Sequence, residues 1–437
     1  MPEVSTPTES AEDSATATPF PRLIVAMATS VIGFYIAVLT PVQLLLTLHL
    51  SVIAGPGAAA AFSVVTGVGA LTAMVMNPLA GRLSDRTAAR FGRRRTWILT
   101  GALAGGLALF AMSGTSAVWQ VAVVWCVIQT VTNFQWAATS ALLPDQVPSR
   151  RRGTASGILG LCTAAGPLIG LGTVSAVQQP ALQWAAIAIA SAVCGVISVL
   201  LLRDAQWVGP EKVSVSELVR SYWVNPRRHP AFAWAWAVRF LITCAYASNT
   251  YTAFLLLERF GLPQAEVSAN VLLLSALTVG VLAVTSVISG ILSDRLRRQK
   301  PFVIASGVLA AGALVILAAA QTMPAVFLAT SILGVALGLF FAVDSALCVR
   351  MLPRAEDAGK DLAVINLANT LPQAFVPFIA PALLALGSYP ALYVFLAVLG
   401  LLGAAAVLRL PEIGREGDPR FAQITRKPST RPERNPA

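Results

Sequence analysis

Two charged residues stand where charge is costly. Asp344, in "LGLFFAVDSALCVR", and Arg239, in "AFAWAWAVRFLITC", each interrupt an apolar run. An ionisable side chain at such depth marks, by default, a substrate or proton path with a partner close by. The chemistry on offer is exchange of a proton, or of an ion-pair partner, away from water. A second constellation is "GRLSDR", Gly81 to Arg86, with its near copy "GILSDR", Gly290 to Arg295. Each sets a carboxylate, Asp85 or Asp294, beside an arginine at the end of an apolar run. A carboxylate there can reach the partly positive N-terminus of a neighbouring helix.

The elements that position these residues follow from the apolar runs. The chain is 56% hydrophobic and 12% charged, against about 25% charged in soluble domains, and its mean hydropathy is +0.72. Most of it must sit in lipid. About twenty apolar residues span the hydrocarbon layer as a helix. Twelve such runs are predicted, at 23–48, 56–81, 96–113, 117–143, 155–177, 181–202, 231–256, 268–290, 301–320, 324–351, 362–387 and 390–410. The fold class is all-α integral membrane, twelve helices in two six-helix bundles at 22–202 and 231–410. A central cytoplasmic loop, 203–230, separates them; a disordered acidic tail, 1–21, precedes them and a basic tail, 411–437, follows.

Charge placement tests the count, because Lys and Arg accumulate on the cytoplasmic side. With both termini inside, all but Arg239 and Arg259 of the 31 Lys and Arg fall on or beside inner segments. The net charge of +11 therefore reflects topology and not a nucleic-acid partner. The same frame sets depth. Arg239 comes eight residues after Ala231, and Asp344 seven before Met351. At about 1.5 Å per residue both lie roughly 10 to 12 Å from the inner face, where they can meet. Such a pair serves either coupling or purely structural tying of one helix to another.

The halves repeat. Shifting the sequence by 209 positions lays "GRLSDR" on "GILSDR", carries Asp85 onto Asp294, and sets "LLP" ending at Pro144 on "MLP" ending at Pro353. Duplicated halves characterise secondary transporters, whose site lies between the repeats. The same shift maps Asp344 onto Gln135.

With these residues in view the chain resembles the major facilitator superfamily, whose signature loop is similar to Gly81-x-Leu83-x-Asp85-Arg86 and, more weakly, to its copy at Gly290, Asp294 and Arg295. The run Arg90-Phe91-Gly92-Arg93-Arg94-Arg95 is similar to the glycoside-pentoside-hexuronide and sucrose-like sugar carriers. The resemblance implies alternating access, with the signature loop clamping the halves when the cytoplasmic side is shut, Asp85 near the start of the eleventh helix at Leu362 and Asp294 near Ala155. It also implies that the first, fourth, seventh and tenth helices line a central cavity. Arg93 to Arg95 are expected to be solvated charges that fix topology.

Further cavity candidates are polar residues on the predicted helices. In the fourth, Gln129, Asn133 and Trp136 form one stripe and Gln135 lies nearly opposite; either face suits the cavity. Asn366, Asn369 and Gln373 form a stripe in the eleventh, beside Pro372. The first offers Tyr35 and Gln43, the seventh Tyr246, Asn249 and Tyr251. Each serves equally well in helix-to-helix hydrogen bonding.

Other chemistries find no support. The five cysteines and two histidines form no metal-ligand or disulfide spacing, no glycine loop for ATP is present, and no catalytic triad can be assembled. No metal, cofactor or enzymatic activity is expected. The function expected is secondary transport of a small, sugar-like solute with H+ as the coupling ion, by a monomer in the plasma (inner) membrane with lipid around it and both termini cytoplasmic. Gly166-Pro167-Leu168-Ile169-Gly170 partly resembles an antiporter motif, so a proton-driven exporter of drugs or secondary metabolites is the alternative. From another class, a membrane sensor or receptor on a carrier scaffold remains.

Overall fold

A helix in lipid must satisfy its own backbone, and it ends where glycine or proline breaks the ladder or charge reaches water. The computed structural model describes residues 18–204, 230–350 and 358–410, apart from 88, 90 and 297, and those segments are almost entirely helical. The tails and most of the central loop expected from the sequence, including His229, lie outside the described residues.

The first half holds α1 (Phe20–Thr40), extended through a π-helical turn at Pro41–Leu45 into α2 (Leu46–Ala54), then α3 (Ala58–Arg86), α4 (Arg93–Met112), α5 (Val118–Gln146), α6 (Arg152–Ser175) and α7 (Pro180–Leu201). The second holds α8 (Pro230–Tyr246), the short α9 (Thr252–Phe254), α10 (Gln264–Leu296), α11 (Lys300–Ala319), α12 (Met323–Arg350) and α13 (Ala358–Ala406). Among the described residues, eleven stretches are long and apolar enough to cross a membrane, and the first, Phe20–Arg86, runs for 67 residues. That is about 100 Å of helix against about 30 Å of hydrocarbon. The chain reverses at Gly55-Pro56-Gly57, where Gly55 takes φ 52°, a conformation that suits glycine alone. Twelve crossings result.

Three departures from the predicted elements have local causes. Both signature sequences are helical, so "GRLSDR" and "GILSDR" form the last turns of α3 and α10 and not loops; an arginine in the last turn complements the negative helix terminus. The span predicted at 231–256 breaks after Tyr246 into a 3-10 stretch, Ala247–Tyr251, and a π-helical turn, Leu255–Arg259. The two last predicted spans are joined without a non-helical residue, yet the chain still doubles back: Asn369 meets Arg239, Tyr389 meets Glu258 and Arg409 lies over Trp234.

Packing repeats between halves. In the first, α5 lies against α3 and α4, and α7 against α1 and α4; in the second, α12 lies against α10 and α11, and α13 against α8 and α11. The halves meet where α3 touches α13 and α6 touches α10. Large apolar side chains such as Leu107, Leu200, Phe378 and Leu386 point outward, each at least 69% exposed, as a lipid-facing surface requires. The arginine-rich connections and the described chain ends share one end of the molecule, the basic end; the turns at Gly55 and Gly261 mark the far end.

Candidate functional site

The most unusual chemistry is in the second bundle. Arg239 leaves α8 in its third turn, flanked by Val238 and buried among apolar neighbours. Its Nη2 lies 3.1 Å from Asp344 Oδ2 on α12, and its Nε donates to Asn369 Oδ1 on α13 at 2.8 Å. Asp344 is 2% exposed. A charge in this position persists only if it is paired and hydrogen-bonded, and the guanidinium fork serves two partners on two helices at once. One side chain therefore ties α8 to α12 and α13. Asn369 was legible only as one member of a polar stripe. Gln373, one turn on, is exposed, and the side chain of Asn366 lies outside the described residues.

The repeat places an uncharged version of this contact in the first bundle. Shifting by 209 turns Arg239 into Ser30 and Asp344 into Gln135. Gln135 Nε2 donates to the Ser30 carbonyl at 3.2 Å, and Ser30 Oγ lies 2.6 Å from Thr139 Oγ1. Of the two faces that the sequence left open, the Gln135 face of α5, with Ile128, Thr132, Thr139 and Leu142, is turned into its own bundle. Neighbouring helices claim it because small residues there allow close approach; Gly101 of α4 lies against the Gln135 backbone. The stripe of Gln129, Asn133, Trp136 and Ser140 becomes progressively exposed toward the basic end. Asn133 sits near its buried start and donates to the Gln129 carbonyl at 2.7 Å.

Each half also presents an aromatic cluster beside these polar contacts. Trp136 stacks on Phe34, centroids 4.9 Å apart, and meets Tyr35 edge-on at 5.6 Å. Trp236 stacks on Phe240 at 5.4 Å, and Phe240 meets Phe375 edge-on. Trp136, Tyr35, Trp236, Phe240 and Phe375 are all half-buried. Their rings keep free surface next to groups that donate and accept hydrogen bonds.

At the basic end, Arg94 is the hub. It is 4% exposed and reaches Asp85 at 2.7 Å, Asp145 at 2.9 Å and Ser84 Oγ at 2.8 Å. Arg93 pairs with Asp145 at 3.0 Å, while Arg95 donates to the Val199 carbonyl and lies over the Phe91 ring. The expectation of solvated arginines is thus corrected. Successive side chains at the start of α4 point about 100° apart, so three adjacent arginines find three different surroundings. Asp204 Oδ2 accepts from the amides of Arg94 and Arg95, fixing the N-terminus of α4. Asp85 therefore meets a partner within its own bundle here, and the side chain of Leu362 lies outside the described residues. Gly81 and Gly290 face open space, and Arg86 and Arg295 are exposed. The side chain of Asp294 lies outside the described residues.

The two halves are tied by hydrogen bonds at the far end. Ser63 Oγ lies 3.0 Å from Tyr251 Oη, Ser175 Oγ donates to the Ser268 carbonyl at 3.3 Å, and Ser275 Oγ donates to Gln43 Oε1 at 3.4 Å. Phe62 packs edge-on against Tyr251 and Phe254. Among the described residues no ion pair or hydrogen bond joins the halves at the basic end. Tyr246 lies 3.3 Å from Ser306 within the second bundle, and Asn249 is exposed. The serines of this seam were not singled out from sequence, because serine is common in membrane helices and no spacing distinguishes them. The glycines of the antiporter-like segment have a packing role: Gly166 meets Tyr35 and Gly170 meets Thr40 so closely that a Cβ would displace them.

Comparison with known proteins agrees with this architecture. The chain matches the sequence profile described as Major Facilitator Superfamily over residues 22–283 and 268–434. It is similar in fold to the nucleoside transporter NupG (TM-score 0.71, 12% identity, 89% of this chain and 99% of that one). It is likewise similar to the peptide transporter POT in complex with sulfate (0.69, 15%, 95% and 99%) and to a D-xylose-proton symporter (0.65, 15%, 90% and 98%). No curated protein matches in sequence.

Proposed function

Because the chain belongs to the major facilitator superfamily and is a secondary transporter and not an enzyme, we propose that it couples movement of a sugar-like solute to protons through Asp344, in a conformation open at its cytoplasmic, basic end. The observation that carries this reading is the buried contact of Arg239 with Asp344 and Asn369. Protonating Asp344 removes the carboxylate charge that faces Arg239 and weakens the tie between α8 and α12, while the bond to Asn369 of α13 remains. Unbalanced charge in the membrane is expensive, so the helices that carry these residues shift to restore the balance. Proton binding thereby changes how α8, α12 and α13 pack. The uncharged Ser30–Gln135 contact at the equivalent position cannot respond this way, which supports the second half as the place of coupling.

The two aromatic clusters support the solute class. Trp136 with Tyr35, and Trp236 with Phe240, offer faces on which a ring with apolar C–H surface can rest; Asn133, Asn369 and Gln373 supply hydrogen-bond partners for hydroxyls. Such sites combine an apolar lining with few placed polar groups. The solved D-xylose-proton symporter of similar fold and the Arg90 to Arg95 run support the same class. The positive-inside rule makes the basic end cytoplasmic, and the far-end seam then closes the outside. Gly81, Asp85 and Arg86, with Gly290, Asp294 and Arg295, face the opposite bundle when the basic end shuts. We take 22–202 and 231–410 as the two moving bodies.

The test is uptake of a panel of pentoses, hexoses and disaccharides by reconstituted vesicles with an alkaline interior. Accumulation of at least one sugar above equilibrium, lost when the proton gradient collapses, is expected. Movement of hydrophobic cations only would overturn the sugar reading.

A further inference from the structure

We propose that Glu258 is the external proton acceptor of this carrier and that Tyr389, Tyr393 and Tyr251 relay the proton inward toward Asp344. The inference rests on the proton-coupled reading above and adds the route. Glu258 stands at the far end, exposed to solvent, in the π-helical turn Leu255–Arg259. Tyr389 Oη on α13 donates to its Oε2 at 2.6 Å, a short, charge-assisted bond. Tyr393 lies one turn further along the same face of α13. It is fully buried, and its hydroxyl has no hydrogen-bond partner among the described residues. Both phenols belong to the same buried cluster as Tyr251, whose 3-10 stretch packs against α13, and Tyr251 itself bonds Ser63 across the seam.

An orphaned buried hydroxyl is costly and calls for an explanation such as water or a mobile proton. Two lie along this segment, Tyr393 Oη and Ser248 Oγ. Ser248 and Tyr251 are three residues apart in the 3-10 stretch Ala247–Tyr251 and so share a face. The chain that leads to Glu258 departs from regular α-helix at Ala247–Tyr251 and again at Leu255–Arg259, as helices often do at functional sites. Tyr246, next in line, packs against Phe340 of α12, one turn from Asp344.

The step balances as a hydroxyl relay. One proton from outside binds Glu258, whose carboxyl then donates to Tyr389 Oη, reversing the bond seen here, as the Tyr389 hydroxyl turns its own hydrogen inward; each following phenol accepts a hydrogen bond on one side and passes its own hydrogen on; one proton arrives at Asp344, and Ser248 supplies the site for a bridging water. The Ser63–Tyr251 bond occupies the Tyr251 hydroxyl while the far end is closed, so the relay completes only when the seam opens. The charged and titratable groups facing it are Tyr389 and Tyr393 from α13 and Arg259 from its own turn. Arg259 donates to the Leu317 and Ala318 carbonyls of α11. The equivalent position in the first half, His49, bonds Thr115 at 2.7 Å beside Trp184 and belongs to no such row.

The experiment uses vesicles loaded with a pH-sensitive dye and the sugar that the parent accumulates most. Glu258→Gln and Tyr393→Phe are each expected to slow sugar-dependent proton uptake about tenfold or more while leaving counterflow exchange at the parental rate, which reports an intact fold. Parental proton uptake in both variants would overturn the route while leaving coupling at Asp344 in place. A parent that takes up no proton with any sugar would overturn coupling and route together.

Discussion

Arg239 reaches Asp344 across 3.1 Å of bundle interior, from the position that the repeat assigns to Ser30, while Asp344 occupies that of Gln135. The repeated contact is ionic in one half only. Removing one partner of a buried pair leaves the other unpaired, so Arg239→Met is expected to cost about 3 to 5 kcal/mol of stability. Adding Asp344→Leu should recover much of that loss. Detergent-phase unfolding of both single variants and the double measures the coupling, and strict additivity would contradict a direct pair.

Arg94 should matter far more than its neighbours. It meets Asp85, Asp145 and Ser84 while 4% exposed, and hydrogen bonds to charged groups contribute about 1.5 to 3 kcal/mol each before solvent screening. With Asp85 and Asp145 partly solvated, Arg94→Ala is expected to destabilise by about 2 kcal/mol. Arg93→Ala and Arg95→Ala should cost well under half as much. Equal losses at all three positions, read as shifts in thermal unfolding, would contradict the hub.

The far-end seam should set the balance between the two open states. Tyr251→Phe deletes the hydroxyl that meets Ser63, a loss of about 1 kcal/mol, or roughly fivefold in population. Gly81 faces open space here, so a Gly81→Cys reporter is expected to label more slowly when Tyr251→Phe is added. Unchanged labelling would count against the seam as a closing device.

Trp136 is the expected stacking surface for the solute in the first half. Trp136→Ala should raise the KM for sugar about tenfold with a smaller change in kcat, since a stacking contact is made in ground and transition states alike. An unchanged KM would move the solute elsewhere.

Much of this was legible in the sequence. Run lengths and Lys and Arg placement carried the twelve spans, and counting depth from Ala231 and Met351 was enough to bring Arg239 to Asp344. Helix rotation was not legible. Lipid-facing and core-facing sides are both apolar in a membrane helix, so α5 gives no sign that Gln135 turns inward while Trp136 keeps free surface. The burial of Arg94 was equally hidden, because its partners Asp85 and Asp145 come from two other helices. Asn369 was visible as a polar residue beside Pro372, but its bond to Arg239 depends on how α13 doubles back along α8.

The most direct measurement is transport by Asp344→Asn in reconstituted vesicles, which keeps shape and hydrogen bonding while removing the titratable charge. Sugar accumulation driven by a proton gradient should be abolished, with counterflow exchange retained. Gradient-driven accumulation equal to the parent's would contradict the assignment of coupling to Asp344.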